Sequence, residues 1–154
     1  MKYQAIMDSP VGKLLLMEED GALIKLSFRA EYRAEAEVKK TDVLKQAERE
    51  LREYFNGARK RFTVPLKFSG TPFQIAVWEA LLRIPYGEVR SYRQIAEMTG
   101  SNKAYRAVGQ AVHNNPVAIM IPCHRVIASD GSIGGFTGGI ELKMKLLSCE
   151  SVKM

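Results

Sequence analysis

The chain has 154 residues, 46% hydrophobic and 26% charged, a globular composition that excludes a disordered chain and suffices for one domain or two small subdomains. The longest apolar run near the start, Leu14 to Met17, is too short for a signal-peptide core or a membrane span, so a soluble cytoplasmic protein is expected; two cysteines and two histidines without C-x-x-C or H-x-x-x-H spacing supply neither a disulfide framework nor a structural zinc site. The net charge of +6 suits an anionic partner such as nucleic acid without establishing one.

Residues 2–8, 13–19 and 22–28 are short strand-like runs. Ser9-Pro10-Val11-Gly12 and Asp20-Gly21 separate them, the second a tight hairpin signal. The charge-rich stretch 30–40 suits either a loop or a helix. Asp42–Phe55 is a helix, with Val43, Leu44, Ala47, Leu51, Tyr54 and Phe55 on one face and Gly57 as its stop. Residues 59–70 form a connector broken by Pro65 and Gly70. No catalytic constellation occurs in residues 1–70, which form a supporting subdomain.

Residues 71–154 are mostly helical. Thr71 caps a helix that Pro72 opens, with Val77, Trp78, Leu81 and Leu82 on its apolar face and Ile84-Pro85-Tyr86-Gly87 at its end. Ser91 caps Tyr92–Met98, Thr99-Gly100-Ser101-Asn102 breaks the chain, and residues 103–113 resume a helix. Ala104, Ala107, Val108, Ala111 and Val112 give this helix a small apolar face, and Lys103, Arg106, Gln110 and His113 a polar one. Between residues 90 and 113, Arg90, Arg93, Lys103 and Arg106 have Glu97 as their only acidic neighbour in sequence. Short helix, glycine-containing turn and basic-faced helix make the helix-turn-helix pattern, although generic helical hairpins with a solvated outer surface share it. A last helix runs over residues 140–148 after a glycine-rich stretch that matches neither G-x-G-x-x-G nor a P-loop. The expected fold class is α/β in the α+β sense: a small N-terminal α/β subdomain with antiparallel hairpins, and a mostly helical C-terminal domain carrying the helix-turn-helix.

The candidate chemistry centres on Cys123. Pro122 stiffens the backbone before it, His124 follows directly, and Arg125 adds positive charge; an imidazole and cations near a thiol favour the thiolate. Adjacent side chains need not face each other, so a link from His124 to Cys123 calls for a bridging water. Glu150 is a candidate to orient the histidine, with a solvated carboxylate at a helix end as the plain alternative. Cys149 reads as a small buried hydrophobe.

Ile121-Pro122-Cys123-His124-Arg125-Val126 resembles the active-site signature of the O6-alkylguanine-DNA alkyltransferases, the methylated-DNA–protein-cysteine methyltransferases. Pro85-Tyr86-Gly87-Glu88-Val89, Ser91-Tyr92, Arg106-Ala107-Val108-Gly109, Asn115-Pro116 and Gly138-Gly139 sit at that family's spacing from it. The resemblance covers residues 72–150 closely and the N-terminal part only in layout. It implies Cys123 as nucleophile and alkyl acceptor; Glu150, His124 and a water as the relay that draws off the thiol proton; and Tyr92 as the group that helps the guanine leave. It implies Arg106 as the finger filling the duplex gap, Asn115 as the hinge to the cysteine loop, and Val126 and Thr137 as pocket residues. Arg93, Ser101 and Ser129 match DNA-backbone contacts, and Phe136 stands where some members carry tyrosine near the pocket. The implied activity is a suicidal, single-turnover transfer from O6-alkylguanine in double-stranded DNA, with O4-alkylthymine as a further candidate substrate. No cofactor and no metal are expected, and one molecule per lesion suggests a monomer. A cysteine hydrolase built on Cys123, His124 and Glu150 is the alternative; it leaves Arg106 and Tyr92 unexplained and predicts sustained turnover.

Overall fold

The computed structural model describes residues 1–100, 104–136 and 138–152. The chain forms two compact units, residues 1–68 with 116–118 and residues 69–115 with 119–154. No helix among the described residues is long and apolar enough to cross a membrane.

The first unit is a four-stranded sheet with one helix. Strands β1 (Lys2–Met7), β2 (Leu14–Glu19), β3 (Ala22–Ser27) and β4 (Glu37–Val38) are ordered β3-β2-β1-β4. β1 and β2 pair antiparallel from Lys2↔Glu19 to Met7↔Leu14, and β2 and β3 pair antiparallel with a register shift at Met17/Glu18. The turn between β2 and β3 is the expected one: Asp20 and Gly21 both take positive φ, the backbone twist that tight hairpins require. Helix α1 (Asp42–Phe55) is capped by Thr41 and packs on β1, β2 and β3, burying Leu44, Ala47, Leu51 and Tyr54.

Residues 30–40 are not a helix. Buried Gln4 holds that stretch extended, donating from Nε2 to the carbonyls of Arg33 and Ala36, both at 2.7 Å, and accepting the Arg33 N–H at 2.8 Å. β4 then pairs in parallel with β1. The connector is also tied down. Buried Glu50 accepts the N–H groups of Thr63 (2.7 Å) and Val64 (3.2 Å) and the Thr63 hydroxyl (2.7 Å). Burial pushes the Glu50 carboxyl up, but these hydrogen bonds prevail and hold it below its ordinary value. Residues 116–118 edge the same unit, with Val117 bridged in parallel to Leu26.

The second unit holds α2 (Pro72–Leu82), β5 (Arg90–Ser91), α3 (Tyr92–Met98), α4 (Tyr105–His113), a 3-10 turn (Cys123–Arg125), β6 (Val126–Ile127) and α5 (Ile140–Cys149). Thr71 with Gln74 and Ser91 with Gln94 form reciprocal capping boxes that fix the starts of α2 and α3. α2 packs on α3 and α4, α3 packs on α4, and Trp78 donates from Nε1 to the Ala111 carbonyl at 2.9 Å. Two apolar assignments change. Leu82 is exposed while Ala80 is buried, and α4 buries Val108, Ala111 and Val112 but leaves Ala107 exposed. α4 begins at Tyr105 rather than 103, and the buried part of its face begins at Val108. Lys103 lies outside the described residues.

Candidate active site

Cys123 opens a 3-10 turn behind Pro122. The chain leaves that turn as β6, which pairs in parallel with β5, Arg90↔Val126 and Ser91↔Ile127. Tyr92 starts α3 directly after β5, so this two-residue ladder is what brings the phenol and the thiol together. Both line a cavity of about 370 Å³ with Gly109, Gln110, His113 and Phe136. On the approach to Cys123, the Asn115 amide donates to the Ile121 carbonyl at 2.8 Å and closes the 115–121 loop. Inside that loop Ile119, fully buried and β-branched, takes φ +71, a conformation that costs about 1–3 kcal/mol and persists only where the surroundings impose it.

Next to Cys123 in the chain begins a buried ionic cluster. His124 is 0% and Glu150 2% exposed, and Nε2 of His124 lies 2.6 Å from Oε2 of Glu150. Arg125 donates to Glu150 from Nε at 2.8 Å and Nη2 at 3.0 Å, and from Nη1 to the Ile84 carbonyl at 2.6 Å. The Gly87 N–H donates to Glu150 Oε1 at 3.0 Å. Burial alone would raise the Glu150 carboxyl, but the hydrogen bonds and charges of His124 and Arg125 outweigh it and bring the pKa to about 2. Burial pushes the His124 imidazole below its ordinary value despite Glu150. The two directions are compatible because Arg125 supplies the counter-charge: Glu150 is ionised while His124 is neutral. An ionised Glu150 only accepts, so Nε2 carries the proton and Nδ1 is left as the basic nitrogen. Nδ1 of His124 is the one buried side-chain polar atom without a partner among the described residues.

The sequence expectation for the thiol needs correction. Arg125 is spent on Glu150, and the Cys123 thiol is raised above its ordinary value because burial dominates. What opposes the burial is the Asn115 side chain first, then the Lys143 ammonium and the backbone N–H groups of Cys123 and His124. Lys143 takes no part in the sequence analysis above. It is fully buried on α5 and donates from Nζ to the carbonyls of Val126 (2.6 Å), Ile133 (2.6 Å) and Gly135 (3.1 Å). Burial lowers its pKa to about 8, with Cys123 pulling the other way. A lysine in a helix otherwise mixed in polarity gives no local sequence signal of burial.

Other expected site residues fall in two places. Arg93, Arg106 and Ser129 line a second hollow of about 340 Å³, together with Tyr92, Tyr105 and Gly109. Val126 lies fully buried with its carbonyl on Lys143 and its N–H on the Cys123 carbonyl. Ser101 and Thr137 lie outside the described residues. Gly109 faces open space, for a Cβ there would meet nothing within 4 Å.

Two family models match the chain. That of the 6-O-methylguanine DNA methyltransferase DNA-binding domain covers residues 72–152, and that of the ribonuclease-like domain of the same proteins covers residues 2–68. The constitutive methylated-DNA–protein-cysteine methyltransferase of Bacillus subtilis is 43% identical over 99% of this chain and 97% of its own. The methylated-DNA–protein-cysteine methyltransferase of Methanosarcina barkeri is 43% identical over 96% of each. The crystal structure of Mycobacterium tuberculosis OGT in complex with DNA superposes with a TM-score of 0.90 at 42% identity, covering 96% of this chain and 92% of that one. A thiol at a cavity wall, with a buried imidazole and carboxylate beside it and the helix pair α3 and α4 in the same unit, thus sits in a chain that belongs to the 6-O-methylguanine DNA methyltransferase family.

Proposed function

We propose that the protein repairs alkylated DNA by moving the alkyl group of O6-alkylguanine onto Cys123, once per molecule. The observation that carries this reading is Cys123 in the same cavity as Tyr92, with neutral His124 and ionised Glu150 behind it. An alkyl group on guanine O6 is out of reach inside stacked duplex, so the base is extruded into the cavity. The buried thiol is almost wholly protonated near neutrality, which makes a proton acceptor necessary. Nδ1 of His124 takes the thiol proton through a water, and Glu150 steadies the resulting imidazolium through Nε2. The thiolate then attacks the alkyl carbon. A carbon–sulfur bond forms, the carbon–oxygen bond to guanine O6 breaks, and its electron pair goes to the purine. Tyr92 offers a hydrogen bond or proton to that developing anion; its own phenol is raised by burial and by Cys123, so it stays protonated until then. The thioether product has no ionisable sulfur, which ends the reaction after one event. Arg106 fills the space the base leaves, Arg93 and Ser129 hold phosphates, Asn115 braces the cysteine loop, and Phe136 limits alkyl size at the cavity. A thiol that must stay reduced suits the cytoplasm.

Intact mass after incubation with duplex carrying O6-methylguanine tests the reading. One methyl is expected, mapped to Cys123, and none on Cys123→Ala. Repaired DNA beside an unmodified Cys123, or many lesions repaired per molecule, would overturn it; sustained turnover on an ester or amide would establish the hydrolase instead.

A further inference from the structure

Tyr105 stands out on α4. It is the first residue of that helix, it is 50% exposed, and it is the only large apolar side chain the helix exposes. A single exposed tyrosine is ordinary on a protein surface. This one lines the second hollow, which shares Tyr92 and Gly109 with the thiol cavity, and its companions there include the cationic side chains of Arg93 and Arg106. The positive charge suits a polyanion, and the neighbouring cavity has room for one extruded base. Extrusion strips the adjacent nucleobase of one stacking face, a loss of a few kcal/mol that an aromatic ring is suited to offset.

We infer that Tyr105 is a positioning residue that stacks on the nucleobase next to the extruded one, holding the opened duplex while Arg106 fills the gap. The inference rests on the DNA-repair reading above. The ring does this, not the hydroxyl, because every base presents a π-face and stacking needs no specific polar partner. Tyr105 therefore stabilises the flipped state with little regard to which base flanks the lesion.

The test measures single-turnover methyl transfer to Cys123, and DNA affinity, for wild type, Tyr105→Phe and Tyr105→Leu. The substrates are duplexes with O6-methylguanine whose neighbour is a normal nucleotide or an abasic site, on one side or the other. Tyr105→Leu is expected to lose about 5- to 150-fold in affinity for the intact duplex, the range found for losing one base–aromatic stack. Tyr105→Phe is expected to stay within about twofold of wild type, since stacking tolerates loss of the hydroxyl. With an abasic site on the contacted side, the gap between wild type and Tyr105→Leu should close. A gap of equal size on intact and both abasic duplexes would overturn the inference, as would Tyr105→Phe failing like Tyr105→Leu or Tyr105→Leu matching wild type. If wild type itself leaves Cys123 unmethylated, the repair reading falls and the inference with it; if wild type reacts and the variants are indifferent, only the inference falls.

Discussion

Glu150→Gln is the sharpest probe of the buried cluster. The carboxylate accepts from His124, twice from Arg125 and from the Gly87 N–H, all within 3.0 Å. Its pKa of about 2 against an ordinary 4.5 corresponds to about 3 kcal/mol of stability at neutral pH, at 1.36 kcal/mol per pKa unit. Removing one member of a buried ion pair costs about 3–5 kcal/mol, because Arg125 is left without its counter-ion, so the two magnitudes agree. For a chain of this length that is about 6–12 °C in Tm. The sign follows from the depressed carboxyl: the contribution is complete above pH 4.5 and is lost as pH falls toward 2. Other depressed carboxylates, such as Glu50, titrate in both proteins and cancel in the difference. Urea titrations followed by Trp78, the chain's single tryptophan and part of the second unit, should show wild type ahead of the variant at pH 7 and the gap shrinking by pH 3. A gap unchanged between those pH values, or absent at pH 7, would refute the reasoning. The same variant should alkylate slowly near neutrality, with the deficit narrowing as pH approaches the thiol's own ionisation.

Lys143→Met removes a buried cation that binds three carbonyls and faces the thiol. Methyl transfer should fall at least about tenfold, equivalent to the net worth of one charged hydrogen bond, and the pH profile of Cys123 modification by a small electrophile should move upward; an unmoved profile removes the electrostatic role. Arg106→Ala should slow repair of duplex more than reaction with free O6-methylguanine, and equal losses would deny it the finger role. Gly134 sits at φ +73, where a Cβ would touch the Tyr92 ring at 3.4 Å. Gly134→Ala should therefore destabilise by about 1–2 kcal/mol and slow transfer, and a variant with wild-type Tm and rate would show that the loop tolerates the strain.

Much of the site was legible in sequence because it is local. Cys123, His124 and Arg125 are consecutive, and Ser91 and Thr71 carry capping signals that depend only on the next few residues. Helices α3 and α4 followed from periodicity, and the Asp20-Gly21 turn from the one backbone shape those residues favour. The α+β class followed from the same patterns. The stretch 30–40 was not decidable from sequence, since its outcome depends on a buried glutamine some 30 residues away in the chain, a partner no local propensity encodes.

By itself, then, the sequence determined the helices and the capping residues of α2 and α3, because each depends on neighbours within one or two turns. Only the tertiary structure decided the protonation states. It assigns Arg125 to Glu150 rather than to the thiol, buries Lys143 against three carbonyls, and joins Tyr92 to Cys123 through a two-residue ladder. Those outcomes depend on desolvation and on contacts across tens of residues, and desolvation exists only once the chain has folded around the group it strips of water.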